Sequence, residues 1–223
     1  TITAVSAADY ETLNIVSTGG ANTITGLTAD DVTSLTVTGS TAFTITNAIT
    51  NATALATVDA SAMTKAVSIN ASASTTALTF TGGSGGDTLT SGSGNDTLTG
   101  GSGNDTLDSG NGTNTITGGA GDNSLTGGTG VDTITSGDGA DTIDSGAGND
   151  TITSGGGNDT LTFNTDGDLN KNDTVDAGAG TDAAAITIST ALADPFTLTN
   201  VENLDMSITC LLYTSPSPRD MPR

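Results

Sequence analysis

Between Gly82 and Thr162 the chain repeats every nine residues, nine times over, with no residue gained or lost. The copies read GGSGGDTLT, SGSGNDTLT, GGSGNDTLD, SGNGTNTIT, GGAGDNSLT, GGTGVDTIT, SGDGADTID, SGAGNDTIT and SGGGNDTLT. Positions 2 and 4 are always Gly, position 6 is Asp in seven copies and Asn in two, and position 8 is always Leu or Ile. One such unit cannot bury its single aliphatic side chain. Stacking it on its neighbours can, so a fixed short period restricts the chain to a solenoid.

Each position has a physical reading. The two glycines allow a tight turn that a Cβ would resist. The residue at position 6 sets a carboxylate beside a turn rich in main-chain carbonyls, and hard oxygens of this kind are what calcium takes in sixes to eights. Positions 7 to 9 form a very short strand, on which side chains alternate. The aliphatics Leu89, Leu98, Leu107, Ile116, Leu125, Ile134, Ile143, Ile152 and Leu161 therefore point inward and their Thr neighbours outward.

These repeats resemble the RTX family, the haemolysin-type calcium-binding nonapeptides of secreted bacterial proteins. The resemblance implies an all-β parallel β-roll holding several calcium ions between successive turns. The implied ligands are Asp87, Asp96, Asp105, Asp132, Asp141, Asp150, Asp159 and Asp173, with Asn114 and Asn123 at the same position. Main-chain carbonyls would join them near Gly83, Gly85, Gly92, Gly94, Gly101, Gly103, Gly128, Gly130, Gly137, Gly139, Gly146 and Gly148. Each ion takes the position-6 groups of repeats n and n+2. Three of the seven such pairs are wholly acidic, Asp87 with Asp105, Asp132 with Asp150 and Asp141 with Asp159, and these are expected to fill first.

Composition bears on when the chain is ordered. Its formal net charge is −21 and Leu, Ile, Val and Phe make up 42 of 223 residues, a balance typical of disorder. The period argues for order once cations are bound. Two stacked carboxylates roughly 5 Å apart repel by about 3 kcal/mol at an effective dielectric of 20. Without a cation, several such pairs would cancel much of a domain's stability of roughly 5–15 kcal/mol. The four basic residues exclude a phosphate-tracking nucleic-acid partner, and no apolar run is long enough to span a bilayer. The chain has no His, which removes His-based metalloprotease motifs and Ser-His or Cys-His nucleophile pairs. Seven of the eleven Asp between Gly82 and Thr162 are accounted for by position 6 of the repeat. An enzyme is not expected.

Residues 1–81 read as an irregular Thr/Ala/Asn-rich β-solenoid, with strand-like runs at 11–16, 22–27, 34–38, 42–46, 56–60, 66–71 and 77–81. An antiparallel sandwich is the alternative, and Ala48 to Lys65 has room for a short helix. The roll proper spans 82–185: regular repeats over 82–162, an insertion at 163–167, and degenerate repeats over 168–185 that keep Asp173, Val175, Gly178, Gly180 and Asp182. In and just after the insertion Asp166, Asp168 and Asn170 alternate as ligands do in a calcium loop, although a solvated loop explains them as well. Residues 186–209 return to the irregular texture, and Val201–Met206 echoes Tyr10–Ile15. The stretch 210–223 holds the only Cys, both Arg and three of the four Pro. It resembles a translated adapter at the end of a metagenomic reading frame, the alternative being a Pro-rich linker. The chain reads as an internal fragment.

Two classes of function fit. One is a calcium-dependent extracellular structural protein of the bacterial cell surface, similar in texture to surface-layer proteins, whose partners are calcium, copies of itself or surface glycans. The other is a non-catalytic secretion or binding module of a larger adhesin, toxin or extracellular enzyme. The resemblance implies export by a type I system.

Overall fold

The computed structural model describes residues 1–7, 9–50, 52–164, 168–188 and 196–208. The adapter-like stretch 210–223 and Asp166 lie outside them. The described chain is a parallel β-solenoid with two facing ten-stranded sheets and no helix. Alternate strands along the sequence join opposite sheets, so one coil contributes one rung to each.

In the repeat block the coil is two nonapeptides. Leu89 pairs with Leu107, Leu107 with Leu125 and Leu125 with Ile143 in one sheet. Leu98, Ile116, Ile134 and Ile152 pair in the other. All nine position-8 aliphatics are buried, which is the inward set that the strand alternation predicts. Position 7 is Thr or Ser and lies exposed on both outer faces.

The N-terminal coils are wider. Leu13 pairs with Leu35, Leu35 with Val58 and Val58 with Phe80, so a coil here is 22 or 23 residues. The extra length brings Ile49, Leu55, Met63, Leu78 and the rings of Phe43 and Phe80 into the same continuous core. The seven sequence-read strands all appear, as Thr12–Ser17, Asn22–Ile24 with Leu27–Thr28, Ser34–Gly39, Phe43–Ile45, Thr57–Asp59, Val67–Asn70 and Thr79–Thr81. Their pairing is parallel throughout, so the solenoid stands and the sandwich does not.

The helix allowed for over 48–65 does not form. Ile49, Ala52, Leu55 and Val58 recur every three residues and are all buried, a spacing that mimics a helical stripe. They face the core from the bends of one coil instead, and the strand Thr57–Asp59 lies within the segment.

The insertion after Thr162 lengthens one coil without shifting its register. Ile152 pairs with Val175 and Leu161 with Ala184. Phe163 and Leu169 from this stretch are buried and widen the core where the repeat degenerates. The strand Asn203–Ile208 then pairs with Ala183–Ile188, with Leu204 beside Ala184, closing the described solenoid.

Candidate metal centre

Position 6 lies just before each strand, at the corner where the chain turns into a sheet. Because a coil is two repeats, successive copies alternate between the two edges of the roll. One edge carries Asp87, Asp105, Asn123, Asp141, Asp159 and Asp182, and the other carries Asp96, Asn114, Asp132, Asp150 and Asp173. All eleven side chains are buried.

One oxygen of each side chain has the same task. The Asp87 main-chain N–H donates to Oδ1 of Asp105 at 2.6 Å, that of Asp105 to Asn123 at 3.0 Å, and that of Asn123 to Asp141 at 2.7 Å. Asp141 donates to Asp159 at 2.9 Å and Asp159 to Asp182 at 2.8 Å. The second edge repeats this through Asp96, Asn114, Asp132, Asp150 and Asp173. All seven n, n+2 pairs expected from the sequence are thus neighbours in a hydrogen-bonded column.

The second oxygen separates the residues. Oδ2 of Asp105, Asp132, Asp141, Asp150, Asp159 and Asp182 is buried with no hydrogen-bond partner. Burying an ionised carboxylate oxygen without a donor is costly. Asp87 and Asp96 differ: Oδ2 of Asp87 accepts the Gly83 N–H at 2.8 Å, and that of Asp96 accepts the Ser91 hydroxyl. Asp173 is also satisfied on both oxygens, through Asp150 and Asn170.

The surroundings of these unpartnered oxygens are themselves acceptors. A Cβ placed on Gly100 would lie 2.3 Å from Asp105 Oδ2 and 2.6 Å from the carbonyl oxygen of Gly118, in the next coil. On Gly127 it would lie 2.7 Å from Asp132 Oδ2 and 2.4 Å from the Ser145 carbonyl. Carboxylate and carbonyl therefore converge on one small space, an arrangement that a hard cation satisfies. Among the described residues no three acidic side chains gather into a group, so an ion here would draw most of its ligands from the main chain. The position-2 carbonyls of Gly83, Gly92, Gly110 and Gly128 already accept N–H groups of the next coil, and each keeps a second lone pair.

Burial dominates the electrostatics. It pushes the carboxyls of Asp105 and Asp150 up to about 6, partly offset by the N–H groups of Asp87 and Asp132 and reinforced by those residues' own charges. Asp87, Asp132, Asp159 and Asp173 are raised for the same first reason. In Asp132 the main-chain N–H and the side-chain amide of Asn114 pull the other way.

Three features of the site were not read from the sequence. Asp182 belongs to the unpartnered set and Glu202 ends its column, its Oε2 accepting the Asp182 N–H at 2.8 Å. The signal for Glu202 was its place directly before an alternating apolar run. The third is position 1: the hydroxyls of Ser109, Ser136 and Ser154 donate to main-chain carbonyls of the next coil, whereas Ser91 turns to its own repeat's Asp. Just after the insertion, Asn170 bridges Gly148 O and Asp173, and buried Asp168 raises the carboxyl of Asp144, after burial itself.

Compared with known families, the chain matches the RTX calcium-binding nonapeptide repeat in four overlapping copies, at residues 81–116, 108–143, 126–161 and 135–169. Comparison with curated proteins and with solved structures returned no match.

Proposed function

We propose, from the premise that this is an RTX-repeat protein whose roll is a calcium-binding module, that it serves as an extracellular structural protein of a bacterial surface, ordered by calcium after export. One observation carries the reading. Six buried carboxylate oxygens complete no hydrogen bond, and those of Asp105 and Asp132 lie against main-chain carbonyls. Calcium supplies the positive charge that such an oxygen set lacks, and ligands buried only in the folded chain make ion binding part of the folding free energy. Asp105, Asp132, Asp141, Asp150, Asp159 and Asp182 would hold ions through Oδ2, and nearby turn carbonyls would complete the shell.

The rest of the roll's surface supports a structural role. Its outer faces are rows of exposed Thr and Ser, polar and nearly free of positive charge. The repeat block supplies stiffness by stacking, and the coil count sets its length. A surface-layer setting, with copies of the chain or surface glycans as partners, fits a rigid rod whose order is completed where calcium is millimolar.

The test is far-UV circular dichroism of the full chain with excess chelator and again with millimolar calcium, alongside direct measurement of bound calcium. Calcium should raise the β signal reversibly and several ions should bind per chain. An unchanged spectrum with no bound calcium would overturn the proposal.

A further inference from the structure

The columns of position-6 side chains are interrupted at the same height on both edges. Asn114 and Asn123 belong to consecutive repeats, so together they occupy one coil, residues 109–126. That coil alone among the regular repeats has no carboxylate at this position.

Asn123 shows what the substitution does. Its Oδ1 accepts the Asp105 N–H, as an Asp would. Its Nδ2 donates to Gly121 O at 3.0 Å and to Ser136 O at 3.4 Å. Ser136 O is the position-1 carbonyl of the next coil on that edge, the equivalent of the carbonyl that meets Asp105 Oδ2 at Gly118. A Cβ on Gly118 would lie 2.8 Å from Asn123 Nδ2 and 2.5 Å from Ser136 O, which parallels the geometry at Gly100. Asp and Asn have nearly the same shape. Where Asp105 directs a bare acceptor at a carbonyl, Asn123 directs a donor. The amide does what a cation would do and uses the same oxygens.

On the opposite edge Asn114 accepts the Asp96 N–H, and the Ser109 hydroxyl takes Gly127 O at 2.7 Å. Asn114 Nδ2 is buried and completes no hydrogen bond, and its amide lowers the Asp132 carboxyl. A partial positive charge at that point repels a cation. Neither Asn side chain of the coil therefore offers an ion a free ligand.

The unpartnered carboxylate oxygens sort around this coil. Before it, Asp87 and Asp96 are fully hydrogen-bonded and only Asp105 is not. After it come Asp132, Asp141, Asp150, Asp159 and Asp182. The wide apolar core of Phe43, Met63, Leu78 and Phe80 also lies on the early side.

We infer that coil 109–126, whose own position-6 side chains hold no ion, is a lock that divides the roll, and that calcium dependence is concentrated after it, in residues 127–188. Residues up to 126 hold their structure through an apolar core and a set of position-6 carboxylates in which only Asp105 lacks a partner. This rests on the calcium reading given above and changes one expectation of the sequence: the Asn side chains are the metal-independent part of the roll rather than ligands that fill later than the acidic pairs.

Hydrogen exchange read by mass spectrometry on the full chain, with chelator and with millimolar calcium, tests it. Without calcium, the amides of strands Thr97–Ser102, Thr106–Asp108 and Thr115–Ala120 should stay protected, while those of Thr133–Asp138, Thr151–Gly156 and Thr160–Phe163 exchange. Calcium should then slow exchange in the latter group by at least tenfold. Equal loss of protection on both sides of coil 109–126 would overturn the lock and leave the calcium reading standing. No effect of calcium anywhere would overturn both. Asn123→Asp provides a second arm. It should bind one calcium more per chain than the parent and lose protection at Ser124–Thr126 in chelator. An unchanged ion count with unchanged exchange would also refute the lock.

Discussion

Gly155, Gly156 and Gly157 stand side by side in the ninth repeat, and the roll treats them differently. Gly155 has φ +100° and Gly157 φ +131°, whereas Gly156 has no left-handed backbone. A Cβ on Gly155 would lie 2.1 Å from the Gly137 carbonyl oxygen, and on Gly157 1.9 Å from that of Gly139. On Gly156 the nearest atom is Oδ1 of Asp138, at 3.4 Å. A left-handed backbone costs an ordinary residue about 1–2 kcal/mol. Carbon and carbonyl oxygen approach no closer than about 3.3 Å in favourable contacts, so the coil must also retreat by about 1 Å. That retreat weakens two or three ladder hydrogen bonds worth roughly 0.5–1.5 kcal/mol each. Gly155→Ala and Gly157→Ala should each cost about 3–5 kcal/mol. Gly156→Ala meets neither obstacle and should gain about 0.4–1 kcal/mol by restricting the unfolded chain. Urea unfolding in saturating calcium, followed by circular dichroism, measures the difference. With a slope of about 1–3 kcal/mol/M, the midpoints of the 155 and 156 variants should differ by more than 1 M. Similar midpoints for the two would refute the account of coil stacking through position 2.

Two further outcomes follow from burial. In chelator, burial pushes the Asp105 carboxyl up to about 6 in the part of the chain that stays folded, against an ordinary 3.8, so the folded state holds its proton more tightly. This contribution is complete below about pH 4 and is lost as pH rises through 6. The melting temperature of the metal-free protein should fall across that window, and a flat profile would contradict it. Ile134→Ala removes a fully buried side chain between Ile116 and Ile152 and should cost about 2–5 kcal/mol. Val131→Ala, half exposed, should change stability by less than about 0.5 kcal/mol. Denaturation midpoints of the pair decide whether position 8 alone carries the core.

Much of this architecture was legible because the period is so strict. Nine unbroken nonapeptides set the coil at two repeats, and that alone places Leu89 beside Leu107 and Asp87 beside Asp105. The irregular coils could be read as strands from their Thr-aliphatic alternation, but Ile49, Ala52 and Leu55 show where pattern fails. Side chains entering a core from successive bends can imitate a helix. The site was legible as a set of positions and not as a set of atoms. Whether an Asp needs an ion depends on what reaches its second oxygen. For Asp96 that is the rotamer of Ser91, and for Asp87 it is the Gly83 N–H. Neither is encoded in the spacing. The two Asn residues read as weakened ligands until the direction of the Asn123 amide was known.

The position-6 columns of N–H to Oδ1 bonds run one way, each side chain reaching back to the coil before it, while the position-5 side chains of Asn95, Asn104, Asp122 and Asn158 accept from the coil after them. A coil is thus finished by its successor, as one course of roof tiles is finished by the next. Cutting the stack between two coils leaves unlike faces. The later piece presents carboxylates, which water solvates readily and which repel one another. The earlier piece presents main-chain N–H groups with no acceptor. The first face discourages casual stacking and the second invites an acidic side chain, which is what Glu202 offers to Asp182. The roll therefore has a sense as well as an axis, and anything that extends it must bring its acids from the C-terminal side.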